Sequence, residues 1–105
     1  MNTLEVTVSK HAAERIKERP GKKLKPERFA KMAVERGLAH GELKGNLRRW
    51  VDSMVLPYRK KSRPYIYNGH LCVFSRDLHL ITVIPVPGNL NALTARLIQQ
   101  KKVVR

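Results

Sequence analysis

Between Asn2 and Val8 the apolar residues Leu4, Val6 and Val8 alternate with Thr3, Glu5 and Thr7, which is the period of a strand with one face buried. Ser9 then stands where a helix N-cap belongs, and the period changes. Ala12 and Ile16 supply one apolar edge, predicting a first helix from Lys10 to about Arg19 that stops at Pro20-Gly21. Pro26 suits the first position of a second helix, with Phe29, Ala30, Met32 and Ala33 as its core side and Gly37 near its end. Leu43, Leu47, Trp50 and Met54 recur at four, three and four residues, the clearest helical period in the chain. Gly41 and Gly45 each weaken that third helix by about 1 kcal/mol relative to alanine, so packing must compensate or a close approach requires them. Trp50 reads as the anchor of a small core.

After Leu56 the pattern returns to strands. Asn68-Gly69 is the preferred pair for a type I′ turn, flanked by Tyr65-Ile66-Tyr67 and His70-Leu71-Cys72-Val73-Phe74, so a hairpin is expected with Tyr67 opposite His70 and Tyr65 opposite Cys72. Arg76-Asp77-Leu78 reads as the next turn, leading into Leu80-Ile81-Thr82-Val83-Ile84, which Pro85 and Pro87 end. A three-residue turn there puts Ile66, Leu71, Val73, Ile81 and Val83 on one face and Tyr65, Tyr67, His70 and Thr82 on the other. A two-residue turn removes Thr82 from that group. The segment Asn91 to Gln100 can form a short last helix.

The predicted class is α+β, with an N-terminal strand and three helices packed on a C-terminal antiparallel sheet. At 105 residues the chain is expected to form a single domain, 1–105. Within it, 1–55 is the strand and helical part, 56–63 a basic loop, 64–87 the β-meander and 88–105 the C-terminal helix and basic tail. Only 6% of residues are aromatic, so the core is expected to be small and aliphatic.

Charge is the strongest global signal, because 22 Lys and Arg against 8 Asp and Glu give a formal +14. Such an excess attracts polyanions, and nucleic acid is the expected partner, since each cation placed on a phosphate releases condensed counterions. Lys10, Arg19, Lys22, Lys23, Arg59, Lys60, Lys61 and Arg63 are the cations expected to contact it, with Tyr65 beside them. A solvated connector is the plainer reading of the Lys22–Lys25 run. No apolar run approaches the ~20 residues of a membrane span, and Met1 to Lys10 lacks the pattern of a signal peptide, so a cytoplasmic protein without a membrane partner is expected. Cys72 is the single cysteine and excludes an internal disulfide. His11, His40, His70 and His79 do not fall into metal-ligand spacing, so neither a metal nor a cofactor is expected.

On the first helix His11 and Arg15 stand side by side, with Arg19 one turn further, a stripe able to grip a phosphate. The same stretch also reads as an ordinary amphipathic surface helix. The segments HAAERIKER, GELKGNLRRWVD, YNGHLCVF and LITVIPVP together resemble a group of small, largely uncharacterised proteins encoded in phages and bacterial genomes. More distantly, the order of elements looks like the barnase, EndoU, colicin and RelE-like ribonuclease superfamily, which includes many toxins. That resemblance implies a cationic or imidazole side chain on the first helix working with polar residues of the sheet. It carries over His11 as acid or base, Arg15 as the transition-state cation, His70 or Tyr67 as second proton carrier, and Thr82 as a phosphate ligand. The activity implied is metal-independent RNA cleavage, for which an acidic antitoxin or immunity protein is a fitting partner. The alternatives are a non-catalytic RNA- or DNA-binding protein of phage or prophage origin, and a basic inhibitor of a nucleic-acid-binding protein.

Overall fold

In the computed structural model, which describes residues 5–18, 25–58 and 62–103, the first strand β1 is Thr7–Val8 and the first helix α1 is Lys10–Lys17. Ser9 caps α1 as its residue type predicts: its backbone is extended and its hydroxyl accepts the Ala12 N–H at 3.0 Å. The second helix α2, Pro26–Arg36, has proline in its first turn and Gly37 as its C-cap. Two elements then appear that periodicity did not announce, a two-residue strand β2, Leu38–Ala39, and a 3₁₀ turn, His40–Glu42. The third helix α3 runs Gly45–Val55, so Gly41 lies in the turn before it and Leu43 precedes it. Strands β3 (Arg63–Tyr67), β4 (His70–Phe74) and β5 (His79–Pro85) follow, and α4 is Asn91–Val103.

The β3–β4 hairpin has the expected turn and register. Asn68 and Gly69 carry φ of 52° and 78°, both left-handed as type I′ demands, and Tyr67 pairs with His70 and Tyr65 with Cys72. The next turn also has the expected length: the Ser75 N–H donates to the His79 carbonyl at 2.9 Å, and Leu78 closes the three-residue loop at φ 61°. Beyond it, the expected faces of β5 are corrected. Phe74 pairs with Leu80 but Val73 pairs with Thr82, so Ile81 is an extra residue, a β-bulge. Every later side chain of β5 changes face. Val83 joins Cys72, and Thr82 joins Val73 and Leu71.

The strand order is β1-β5-β4-β3-β2, antiparallel except where β1 pairs parallel with β5. On one face Ala12 and Ile16 of α1 and Phe29, Ala30 and Ala33 of α2 meet Cys72, Phe74, Leu80 and Val83. On the other, Leu47 and Val51 of α3 and Leu97 of α4 meet Ile66, Leu71 and Val73, with Trp50 and Met54 packed at the edge. Three helices on a C-terminal antiparallel sheet is therefore corrected to a mixed sheet covered by helices on both faces. The α+β class holds. The physical reason is legible in β4, where Leu71, Cys72, Val73 and Phe74 are all buried, so neither face of that strand can be left to water.

Candidate nucleic-acid site

A cleft of about 570 Å³ opens where the edge strand β2 meets the start of β3 and the end of α3. Ala39, Val55, Leu56 and Pro64 give it apolar walls, and His40, Asp52, Ser62 and Arg63 give it polar ones. That volume lies within the ~300–1,000 Å³ common for small-ligand sites. Leu56 is 78% exposed, held out by the 3₁₀ turn Leu56–Tyr58 that follows α3.

His40 and Asp52 are brought together across the cleft wall. The 3₁₀ turn His40–Glu42 is pinned by its own glutamate, whose Oε1 accepts the Ala39 N–H at 2.8 Å. Asp52 projects from α3 and meets His40 Nε2 through Oδ1 at 2.7 Å, while its Oδ2 lies 3.9 Å from Nε of Arg48, one helical turn back. A carboxylate only accepts hydrogen bonds, so Nε2 carries the proton and the lone pair of neutral His40 sits on Nδ1. Among the described residues Nδ1 has no hydrogen-bond partner. A base held in one tautomer by an acid, beside cations and an apolar wall, is an arrangement that can take a proton from a bound hydroxyl.

The turn itself is tied down from the other side. Lys101 of α4 donates from Nζ to the Gly37 carbonyl at 2.8 Å and to Glu42 Oε1 at 3.1 Å, so one lysine spans the end of α2 and the 3₁₀ turn. Through Glu42 this fixes the backbone on which His40 stands.

Of the residues expected from the sequence, Arg63 and Tyr65 line this cleft. Lys10, His11 and Arg15 are exposed on α1, which packs over β5 at the other side of the sheet from β2. Tyr67 and His70 do share a face, as expected, but both lean on α2: the Tyr67 hydroxyl donates to Met32 Sδ at 3.7 Å, and both rings meet Phe29 edge-on at 5.3 and 6.4 Å. The His70 Nδ1 donates to the Asn68 carbonyl at 3.0 Å. Thr82 is the clear correction, because the bulge buries it, at 4% exposure, on the face covered by α3 and α4. It cannot join His11 and Arg15 around one phosphate. Arg19, Lys22, Lys23, Arg59, Lys60 and Lys61 lie outside the described residues.

His40 and Asp52 were not singled out by the sequence. They are twelve residues apart with no common period, and the one local signal was Glu42 three residues after Ala39, the spacing by which a side chain reaches back to cap a turn. Among the described residues no three His, Cys, Asp or Glu side chains are gathered as for a metal, and no helix is long and apolar enough to cross a membrane. Comparison with protein-family models, with curated proteins and with solved structures finds no match to this chain.

Proposed function

We propose that this chain is a small basic cytoplasmic protein that binds RNA and cleaves it without a metal at the cleft beside β2. The observation that carries this reading is the 2.7 Å contact between His40 Nε2 and Asp52 Oδ1 in the wall of that cleft. The formal +14 charge supports RNA as the polyanion, and the resemblance to the barnase and RelE-like ribonucleases points to the same reaction, though through other residues. His40 Nδ1 takes the proton of a 2′-hydroxyl, the 2′ oxygen attacks the adjacent phosphorus, and the bond to the 5′ oxygen breaks. The departing oxygen takes a proton from water, and the hydroxide left behind takes the proton held on His40 Nδ1, which restores the base. Arg63, with Arg48 nearby, offsets the charge gathering on phosphorus. Lys10, His11 and Arg15 serve as phosphate contacts on the far side, and an acidic antitoxin or immunity protein would cover the same basic surface.

A second reading is a non-catalytic RNA- or DNA-binding protein. It is favoured by one observation: the His40 and Asp52 side chains are 41% and 52% exposed, as in a surface pair that merely fastens a turn to a helix. Incubating the protein with RNA in EDTA separates the two. Fragments ending in a 2′,3′-cyclic phosphate are expected of the ribonuclease; intact RNA bound with a steep salt dependence is the result for the binding protein.

A further inference from the structure

We infer that the cleft between β2, β3 and α3 seats a single unpaired nucleobase, so that the protein selects single-stranded over duplex nucleic acid. This rests on the RNA reading above but not on cleavage. A duplex presents phosphates and groove edges while its base faces stay stacked, and it cannot fill a concave apolar space. A splayed-out base can, because every base has a flat apolar face to lay against Leu56, Val55 and Pro64. Leu56 is otherwise anomalous: among the described residues it is the large hydrophobic side chain left exposed, at 78%, and it stands on the cleft rather than alone on open surface. Arg63, exposed at the start of β3, also lines the cleft and supplies a cation for the phosphate attached to that base. His40, Asp52, Ser62 and Arg63 on the polar walls carry hydrogen-bonding groups for the edge of a base whose face lies on the apolar ones.

The test measures binding to fluorescent 2′-O-methyl RNA, which has no hydroxyl to react, so cleavage cannot confound it. A short single strand, the same sequence as a duplex, and a strand with one abasic position are compared at fixed salt. The single strand should bind about tenfold more tightly than the duplex, and Leu56→Ser should remove most of that difference while leaving duplex binding unchanged. Leu56→Met should restore it. Serine is neutral and Leu56 is exposed, so neither general electrostatics nor folding accounts for the loss; circular dichroism checks the fold. Equal affinity for strand and duplex, or Leu56→Ser binding like wild type, overturns the inference while leaving RNA binding intact. Competition by free nucleoside monophosphate or by poly-glutamate as effective as that by the strand also overturns it, in favour of a small nucleotide or an acidic protein. Failure to bind either form of RNA removes the RNA reading as well.

Discussion

The hydroxyl of Ser9 donates to the backbone carbonyl of Ile81 at 2.9 Å, at the bulge, while accepting the Ala12 N–H that opens α1. One side chain thus caps a helix and satisfies an acceptor where the β4–β5 ladder is interrupted. It joins the start of the chain to the strand that carries Thr82. Ser9→Ala should lower stability by about 1–2 kcal/mol, the upper part of the range for a lost N-cap, because two bonds go at once. Urea unfolding measures it; a loss under about 0.5 kcal/mol, below the range for a lost N-cap alone, would contradict both contributions.

That bulge also marks the boundary of what could be read from the sequence. The turn at Arg76-Asp77-Leu78 was legible from its residue types, and so was the Asn68-Gly69 hairpin. The extra residue at Ile81 was not, because a bulge needs no glycine or proline, and its carbonyl finds a partner seventy-two residues away in sequence. With a side-chain period of two, one inserted residue was enough to turn Thr82 from the supposed site into the α3–α4 core. The helices were legible because Ala12, Ile16, Phe29, Ala33 and Leu47 repeat at helical spacing. Strand β2 was not, being two residues long and fixed by pairing with Ile66 and Tyr65 rather than by propensity. The candidate site shares this character: Arg63 and Tyr65 were visible as a basic and aromatic run, whereas His40 and Asp52 meet only through the tertiary turn.

The placement of Thr82 has a direct consequence for activity. Thr82→Val removes the hydroxyl once expected to hold phosphate, yet the side chain is buried away from both α1 and solvent. RNA binding and cleavage at wild-type levels are expected. A selective loss of cleavage in a folded variant would restore Thr82 to the mechanism.

Gly37 precedes β2 and Gly41 lies in the turn after it, and the two should respond differently to alanine. A Cβ on Gly37 would lie 2.4 Å from the Ala33 carbonyl oxygen and 2.8 Å from that of Ile66, both backbone atoms that cannot step aside. A Cβ on Gly41 meets nothing within 4 Å. Gly37→Ala should cost about 2 kcal/mol or more through overpacking, and Gly41→Ala should be near neutral, in the same unfolding measurement.

Glu42 accepts from both the Ala39 N–H and Lys101 Nζ through one oxygen. Glutamine keeps an oxygen there and alanine does not. Glu42→Gln should therefore stay within about 0.5 kcal/mol of wild type, since the ion pair with Lys101 is partly exposed and screened. Glu42→Ala should cost about 1–2 kcal/mol by leaving a part-buried N–H unpaired. Because the same turn carries His40, the alanine variant should also lose cleavage in excess of its loss of stability. Equal behaviour of the two variants would detach the turn from the site.

The most direct test of the account is cleavage of a defined RNA in EDTA by the wild type, His40→Ala and His11→Ala side by side, with RNA affinity measured in parallel. If His40 is the base, its alanine variant should cleave roughly 100-fold or more slowly at nearly unchanged affinity, while His11→Ala keeps its rate and loses some affinity. A His40→Ala protein that cleaves like wild type, with His11→Ala inactive, would contradict the account and return the chemistry to α1.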